Sequence, residues 1–111
     1  MKYSDLGFWI EQRGEEYVIG LSEKGQDDLG SISFVQFSHD DALAIEEPFL
    51  SVEAAKAEVD LTPPLSGKVI EWHEACEDNP ALLNDTNNEN NWLVKITDVD
   101  EQAFQKLNDT I

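Results

Sequence analysis

Apolar and polar residues alternate along this chain in short runs, and glycine, proline or acidic clusters separate the runs. Phe8-Trp9-Ile10 and Tyr17-Val18-Ile19-Gly20-Leu21 flank Arg13-Gly14-Glu15, a pattern that predicts a β-hairpin. Ser22 is placed to cap a short helix over 23–29, with Glu23 at its positive end and Gly30 as its stop. The β-branched and aromatic residues of 32–37 predict a strand. Ser38-His39-Asp40-Asp41 reads as a turn, and Pro48 bounds a further strand over 49–53. A turn of small residues follows, then a polar-apolar run from Val59. Pro63-Pro64 excludes helix there and keeps Thr62 extended. Strands are expected over 68–72 and 92–96, with a long polar loop over 77–91 between them. Asp98 and Glu101 resemble a capping box, and Val99, Ala103 and Leu107 recur every four residues beside Phe104, as one face of a closing helix. Many short strands with two small helices predict one mainly-β sandwich or barrel domain spanning 1–111, with no linker.

Charge narrows the partners. The chain carries 24 acidic and 7 basic side chains, a net charge of −17. Nucleic-acid backbones and anionic membranes are held by lysine and arginine, so neither is an expected partner. Such a surface suits high solubility and proteins with basic docking faces. The single cysteine, Cys76, has no internal disulfide partner. Together with the lack of an apolar signal segment, this leads to the expectation of a reducing, cytoplasmic location.

The turn after the fourth predicted strand holds one ammonium group, in Val52-Glu53-Ala54-Ala55-Lys56-Ala57-Glu58. Taken alone, Lys56 is an ordinary solubilising residue. Its alanine neighbours leave it uncrowded, however, and a long flexible amine at a hairpin tip can carry a tether. Glu53 lies three residues before it, Ala57 directly after it, and Gly67 eleven after it, in Pro64-Leu65-Ser66-Gly67-Lys68-Val69. With Val18-Ile19-Gly20-Leu21, Leu29-Gly30, Phe34-Val35, Glu47-Pro48-Phe49, Glu77-Asp78-Asn79-Pro80-Ala81-Leu82-Leu83-Asn84 and Trp92-Leu93-Val94-Lys95-Ile96 in the same order, the chain resembles the lipoyl-carrying domains. Within them it resembles the H protein of the glycine cleavage system, over about 17–107. A biotin-carrying domain would place methionine on each side of the lysine.

The resemblance implies a barrel-sandwich hybrid with the lysine hairpin at one end. It implies lipoic acid amide-linked to Lys56 by a lipoate ligase or lipoyltransferase, with Glu53 aiding recognition and Gly67 giving a close turn where a side chain would clash. It implies a non-catalytic carrier of an aminomethyl group among glycine decarboxylase, aminomethyltransferase and a dihydrolipoyl dehydrogenase.

The chain departs from the family pattern in several places. Ala54-Ala55 stands for the usual Ser-Val, proline and glycine are missing over 38–46, and Thr86-Asn87-Asn88-Glu89-Asn90-Asn91 replaces a glycine-rich loop. His73 stands where asparagine is common. These departures open a second reading. The chain also looks like the divergent H-like proteins found beside lipoate ligases, macrodomain proteins and sirtuin-type ADP-ribosyltransferases. That resemblance implies a lipoate relay or a regulated target, with Asp27 and Asp28 of the first helix as candidate ADP-ribose acceptors. A third reading is an acidic interaction domain without a prosthetic group.

Other constellations are weaker. His39 in its acidic turn lacks the further nitrogen or sulfur ligands a zinc site wants. The stretch 84–91 lacks the glycine and closing glutamate of a calcium loop. Cys76 has no partner histidine at a readable spacing and reads as a small core residue. Trp9, Trp72 and Trp92 read as core. There is no Gly-x-Ser-x-Gly elbow and no glycine-rich phosphate loop.

Overall fold

The computed structural model describes residues 1–110. The predicted hairpin forms from β2 (Phe8–Arg13) and β3 (Glu16–Leu21), paired from Phe8↔Leu21 to Arg13↔Glu16. Its two-residue link carries Gly14 at φ 63, a conformation open to glycine. An additional strand, β1 (Lys2–Ser4), pairs with β2 at one edge. On the other side β3 pairs with β9 (Trp92–Thr97), β9 with β8 (Gly67–Trp72), and β8 with the two-residue β5 (Ala42–Leu43). These six strands form one antiparallel sheet. The second sheet is β4 (Ile32–Phe37), β6 (Leu50–Ala54) and β7 (Glu58–Leu61), with β6 in the middle.

The two sheets close on one core. Phe8, Ile10, Ile19 and Leu21 of the first face Val35, Phe37, Leu50 and Val52 of the second, all almost wholly buried. Phe8 meets Phe49 edge-on at 5.5 Å between ring centroids, and Phe37 stacks on Trp72 at 5.1 Å. Trp9 is buried and its indole N–H donates to Asn91 Oδ1 at 2.8 Å. Trp72 and Trp92 are only half-buried at the margin of the core, not inside it. The Trp72 ring covers its edge while staying in reach of solvent, and the Trp92 ring lies between His73 and Lys95. The architecture is the barrel-sandwich expected, with helix α1 (Glu23–Leu29) in the N-terminal half and a short α4 (Glu101–Gln105) near the C-terminus.

Local expectations are corrected in two stretches, 75–91 and 98–107. The stretch read as a long polar loop is folded into α2 (Ala75–Asp78), a 3-10 turn (Pro80–Asn84) and α3 (Asn88–Asn91), which bury Cys76, Leu83 and Asn91. Elements of four or five residues are too short to show a helical period in sequence. The cap of α4 is Asp100, whose carboxylate accepts from the Gln102 N–H at 2.9 Å. Asp98 has φ 56, a left-handed turn residue that an N-cap does not adopt. Val99, Ala103 and Leu107 do pack on the core beside buried Phe104, but Val99 and Leu107 lie outside the five-residue α4, so the three are not one helix face.

Candidate functional site

Helix α1 is what the lysine turn rests on. Ser22 caps it as expected, its hydroxyl accepting from Gly25 N–H at 3.3 Å. The Ser22 N–H in turn donates to Gly7 O at 2.9 Å. A Cβ on Gly25 would stand 2.3 Å from Gly7 O, so only glycine lets the helix lie this close to the β1–β2 connection. The far end of α1 is held from the 3-10 turn. Gln26 donates its amide to Leu83 O and Asp85 O, and Asn84 bridges Gly30 O and Ile32 N–H at 2.8 and 2.9 Å.

The last turn of α1 therefore has a fixed position, and the lysine turn is sewn to it. Ala55-Lys56-Ala57 links β6 to β7, closed by an Ala54 N–H to Ala57 O bond of 2.8 Å. Ala55 N–H donates to Ser31 O at 2.9 Å and Lys56 N–H to Leu29 O at 3.0 Å. The Lys56 stem runs over Gly30, which has φ 73 and no side chain to obstruct it. The ammonium donates to Asp27 O at 2.9 Å, and the residue is exposed. Carbonyls at a helix C-terminus lack helical partners and carry partial negative charge, which suits a cation.

Of the residues singled out from sequence, Lys56, Glu53, Ala57, Asp27 and Asp28 gather at this end. Glu53 is exposed on β6 and pairs across the sheet with Glu58. Asp27 and Asp28 are exposed on the last turn of α1, and Asp28 is paired with Lys24 at 2.7 Å. Gly67 stands apart. It begins β8 in the other sheet, where a Cβ would meet Thr97 O at 2.7 Å. A close approach does require glycine there, and the approach is that of β8 to β9.

Beside the turn lies an apolar groove of about 210 Å³, lined by Leu6, Leu21, Leu29, Ala57, Val59 and Leu61, with Asp28 as its one carboxylate. The sequence reading did not include it. Its walls come from four separate segments, and its signal in sequence is only the inward parity of Val59 and Leu61 on β7 and the half-exposed Leu6.

The other chemistry-bearing residues are structural. Cys76 does have a histidine neighbour: His73 Nδ1 lies 3.1 Å from its Sγ, three residues back along the chain. The thiol is fully buried, and burial first, then the Glu77 carboxylate, push it up to about 12. It stays a thiol at neutral pH and is no nucleophile. His73 also contacts Trp92 O at 2.6 Å and stacks on the Trp92 ring at 4.2 Å. His39 Nε2 sits 2.9 Å from both Glu77 oxygens, so the acidic neighbour it uses comes from α2 and not from its own turn.

Two sheets closed on one core, with an exposed lysine on the turn of the smaller sheet, have the barrel-sandwich form of the lipoyl-carrying domains. The model of the glycine cleavage H-protein family matches residues 1–110, and the chain belongs to that family. It is 38% identical over 99 residues to a glycine cleavage system H-like protein of Staphylococcus aureus strain Mu50, covering 89% of this chain and 90% of that one. It is 37% identical over 108 residues to a glycine cleavage system H protein of Bacillus cereus strain AH820, covering 96% and 85%. The crystal structure of a glycine cleavage system H protein from Mycobacterium marinum superposes with a TM-score of 0.74 at 25% identity, over 86% of this chain and 81% of that one.

Proposed function

We propose that this protein is a non-catalytic carrier that holds lipoic acid in amide linkage on Lys56 and shuttles the aminomethyl group of glycine. Its partners in that role are glycine decarboxylase, aminomethyltransferase and dihydrolipoyl dehydrogenase in the cytoplasm, after a lipoate ligase or lipoyltransferase has charged it. The observation that carries the reading is the Lys56 turn. Its backbone is immobilised by three hydrogen bonds while its side chain reaches solvent, tied only by the ammonium to Asp27 O.

That arrangement fits an acylated lysine. The amine leaves Asp27 O to be acylated, and the positive charge that favoured the helix terminus is then lost. The rest of the turn keeps its backbone bonds, so the arm gains reach while its root stays fixed. The bound group would supply a dithiolane able to accept a one-carbon amine, and the dithiol left after transfer would be reoxidised by dihydrolipoyl dehydrogenase. The chain supplies a rigid anchor, a groove of apolar side chains at the root of the arm, and a high effective concentration of the arm at each partner.

The test is the intact mass of the protein made in cells supplied with lipoate and a competent ligase, beside Lys56→Ala. One added lipoyl group, absent from the variant, is the expected result. An unmodified wild-type chain refutes the carrier reading and favours an acidic interaction domain.

A second reading has its own support in the relative named an H-like protein and in the nearness of Asp27 to the lysine. In it the lipoylated chain is a lipoate relay, or a lipoylation-dependent target of a sirtuin-type ADP-ribosyltransferase and a macrodomain protein, modified on Asp27 or Asp28. Glycine-dependent carbon dioxide exchange with purified glycine decarboxylase separates the two. Exchange by the lipoylated protein supports the shuttle, and its absence supports the second reading.

A further inference from the structure

The smaller sheet has an outer face that the core does not use. Side chains alternate across a strand, and with Val35, Leu50 and Val52 turned inward the outward set is Phe34 and Gln36 on β4, Ser51 and Glu53 on β6, and Glu58 and Asp60 on β7. The register sets these in rows. Phe34 is opposite Glu53, and Glu53 is opposite Glu58, so an aromatic ring and two carboxylates lie side by side across all three strands. In the next row Ser51 is opposite Asp60 and donates to its carboxylate at 2.7 Å.

Two features of this face work against the stability of the isolated chain. Phe34 is 42% exposed in a sheet whose other aromatic, Phe37, is buried. Like charges directly opposite one another weaken a strand pair, and Glu53 and Glu58 are such a pair with no lysine or arginine among the residues lining the surface. Between them is a shallow depression of about 360 Å³, walled by Phe34, Val52, Val59 and the three carboxylates. Both rows cross β6 and β7, the two strands that the Lys56 turn joins.

We infer that this face is a docking surface for the enzyme that acylates Lys56, whose complementary surface is cationic and holds an apolar pocket for Phe34. The inference rests on the carrier reading and adds the surface through which the charging enzyme is engaged. Charge complementarity selects the partner. A second copy of a chain with net charge −17 would meet these carboxylates with more of its own. A basic protein would relieve the Glu53–Glu58 repulsion, be steered by it, and bury the exposed ring as an anchor. The position beside the turn lets one enzyme hold this face and reach the lysine at once.

The experiment is steady-state acylation of the full chain by purified lipoate ligase with ATP and lipoate, followed by intact mass, at two salt concentrations. Phe34→Ser is expected to raise KM about tenfold with kcat within about twofold. Glu58→Gln with Asp60→Asn is expected to flatten the dependence of KM on salt, since it removes charge while keeping hydrogen-bond acceptors. A Glu15→Gln, Glu16→Gln variant, on the hairpin of the other sheet, is the control and should behave as wild type. All three variants alter exposed side chains, and melting curves confirm that they are folded. Wild-type acylation with unchanged KM and salt dependence in both face variants overturns the docking surface and leaves the carrier standing. A wild-type chain that takes no lipoyl group overturns both.

Discussion

At the scale of single residues, glycines and one cysteine give the sharpest expectations. A Cβ on Gly20 would stand 2.1 Å from the Trp9 ring, so Gly20→Ala must displace a buried indole that also donates to Asn91. Overpacking of this kind costs about 1–3 kcal/mol, and breaking the indole bond adds to it. Thermal denaturation should show Tm lowered by roughly 4–8 °C for each kcal/mol in a domain of this size. Cys76 makes the opposite point. Buried and held as a thiol, it should resist iodoacetamide in the folded protein at pH 7 and react fully in denaturant. Rapid labelling of the folded chain would contradict the buried assignment. The sequence marked Cys76 as a small core residue for want of a histidine at a readable spacing, and its inertness follows instead from burial. The sequence hid the contact with His73, because an i, i+3 spacing means proximity only once the chain turns there into α2.

The element that decides the site is α1, through its C-terminus. Gly30 combines φ 73 with a Lys56 Cγ that would be 3.3 Å from an added Cβ. Gly30→Ala is therefore expected to cost about 1 kcal/mol and to loosen the lysine turn. Faster amide hydrogen exchange at Ala55 and Lys56, with the strands unchanged, is the readout. The connection over 85–91 supplies a pH-dependent counterpart. Asp85 is held below its ordinary carboxyl value of 3.8, first by the Asn87 backbone N–H and then by the Asn90 side chain. A depressed carboxyl stabilises fully above its unfolded value, and that contribution is lost as pH falls through the folded one. The stability gap between wild type and Asp85→Asn, from urea melts, should be largest at pH 7 and shrink below about pH 4. A gap that is constant from pH 7 to 3 would show that the charge is not what the loop uses. Strand β4 was readable residue for residue from its β-branched and aromatic run. The turns of 75–91 were not, since short capped helices draw on side-chain to backbone bonds and leave no period.

For the molecule as a whole, net charge is the governing quantity. On the carrier reading proposed above, acylation of Lys56 would remove one more positive charge from a chain that already carries −17. Partners receiving the arm would then approach an acidic surface, and association with glycine decarboxylase should be electrostatically steered. Its rate constant, measured by stopped flow with the lipoylated protein, is expected to fall about tenfold between low and physiological salt. The extent of lipoylation, once complete, should not change with salt. A rate indifferent to ionic strength would mean that the charge only solvates the fold.

Strand alternation, glycine and proline spacing and the order of motifs determined the β-rich fold, the hairpins, α1 with its Ser22 cap, and Lys56 as the residue to watch. These are local or collinear properties, and a chain carries them in one dimension. Only the tertiary structure decided what surrounds that lysine. The carbonyls of Asp27 and Leu29 that hold it are backbone atoms, common to all residues and silent in any sequence. The groove at its root and the row of Phe34, Glu53 and Glu58 on the outer face are assembled by strand register and helix placement. Residues far apart along the chain become neighbours there because burying one face of each sheet fixes which side chains are left outside.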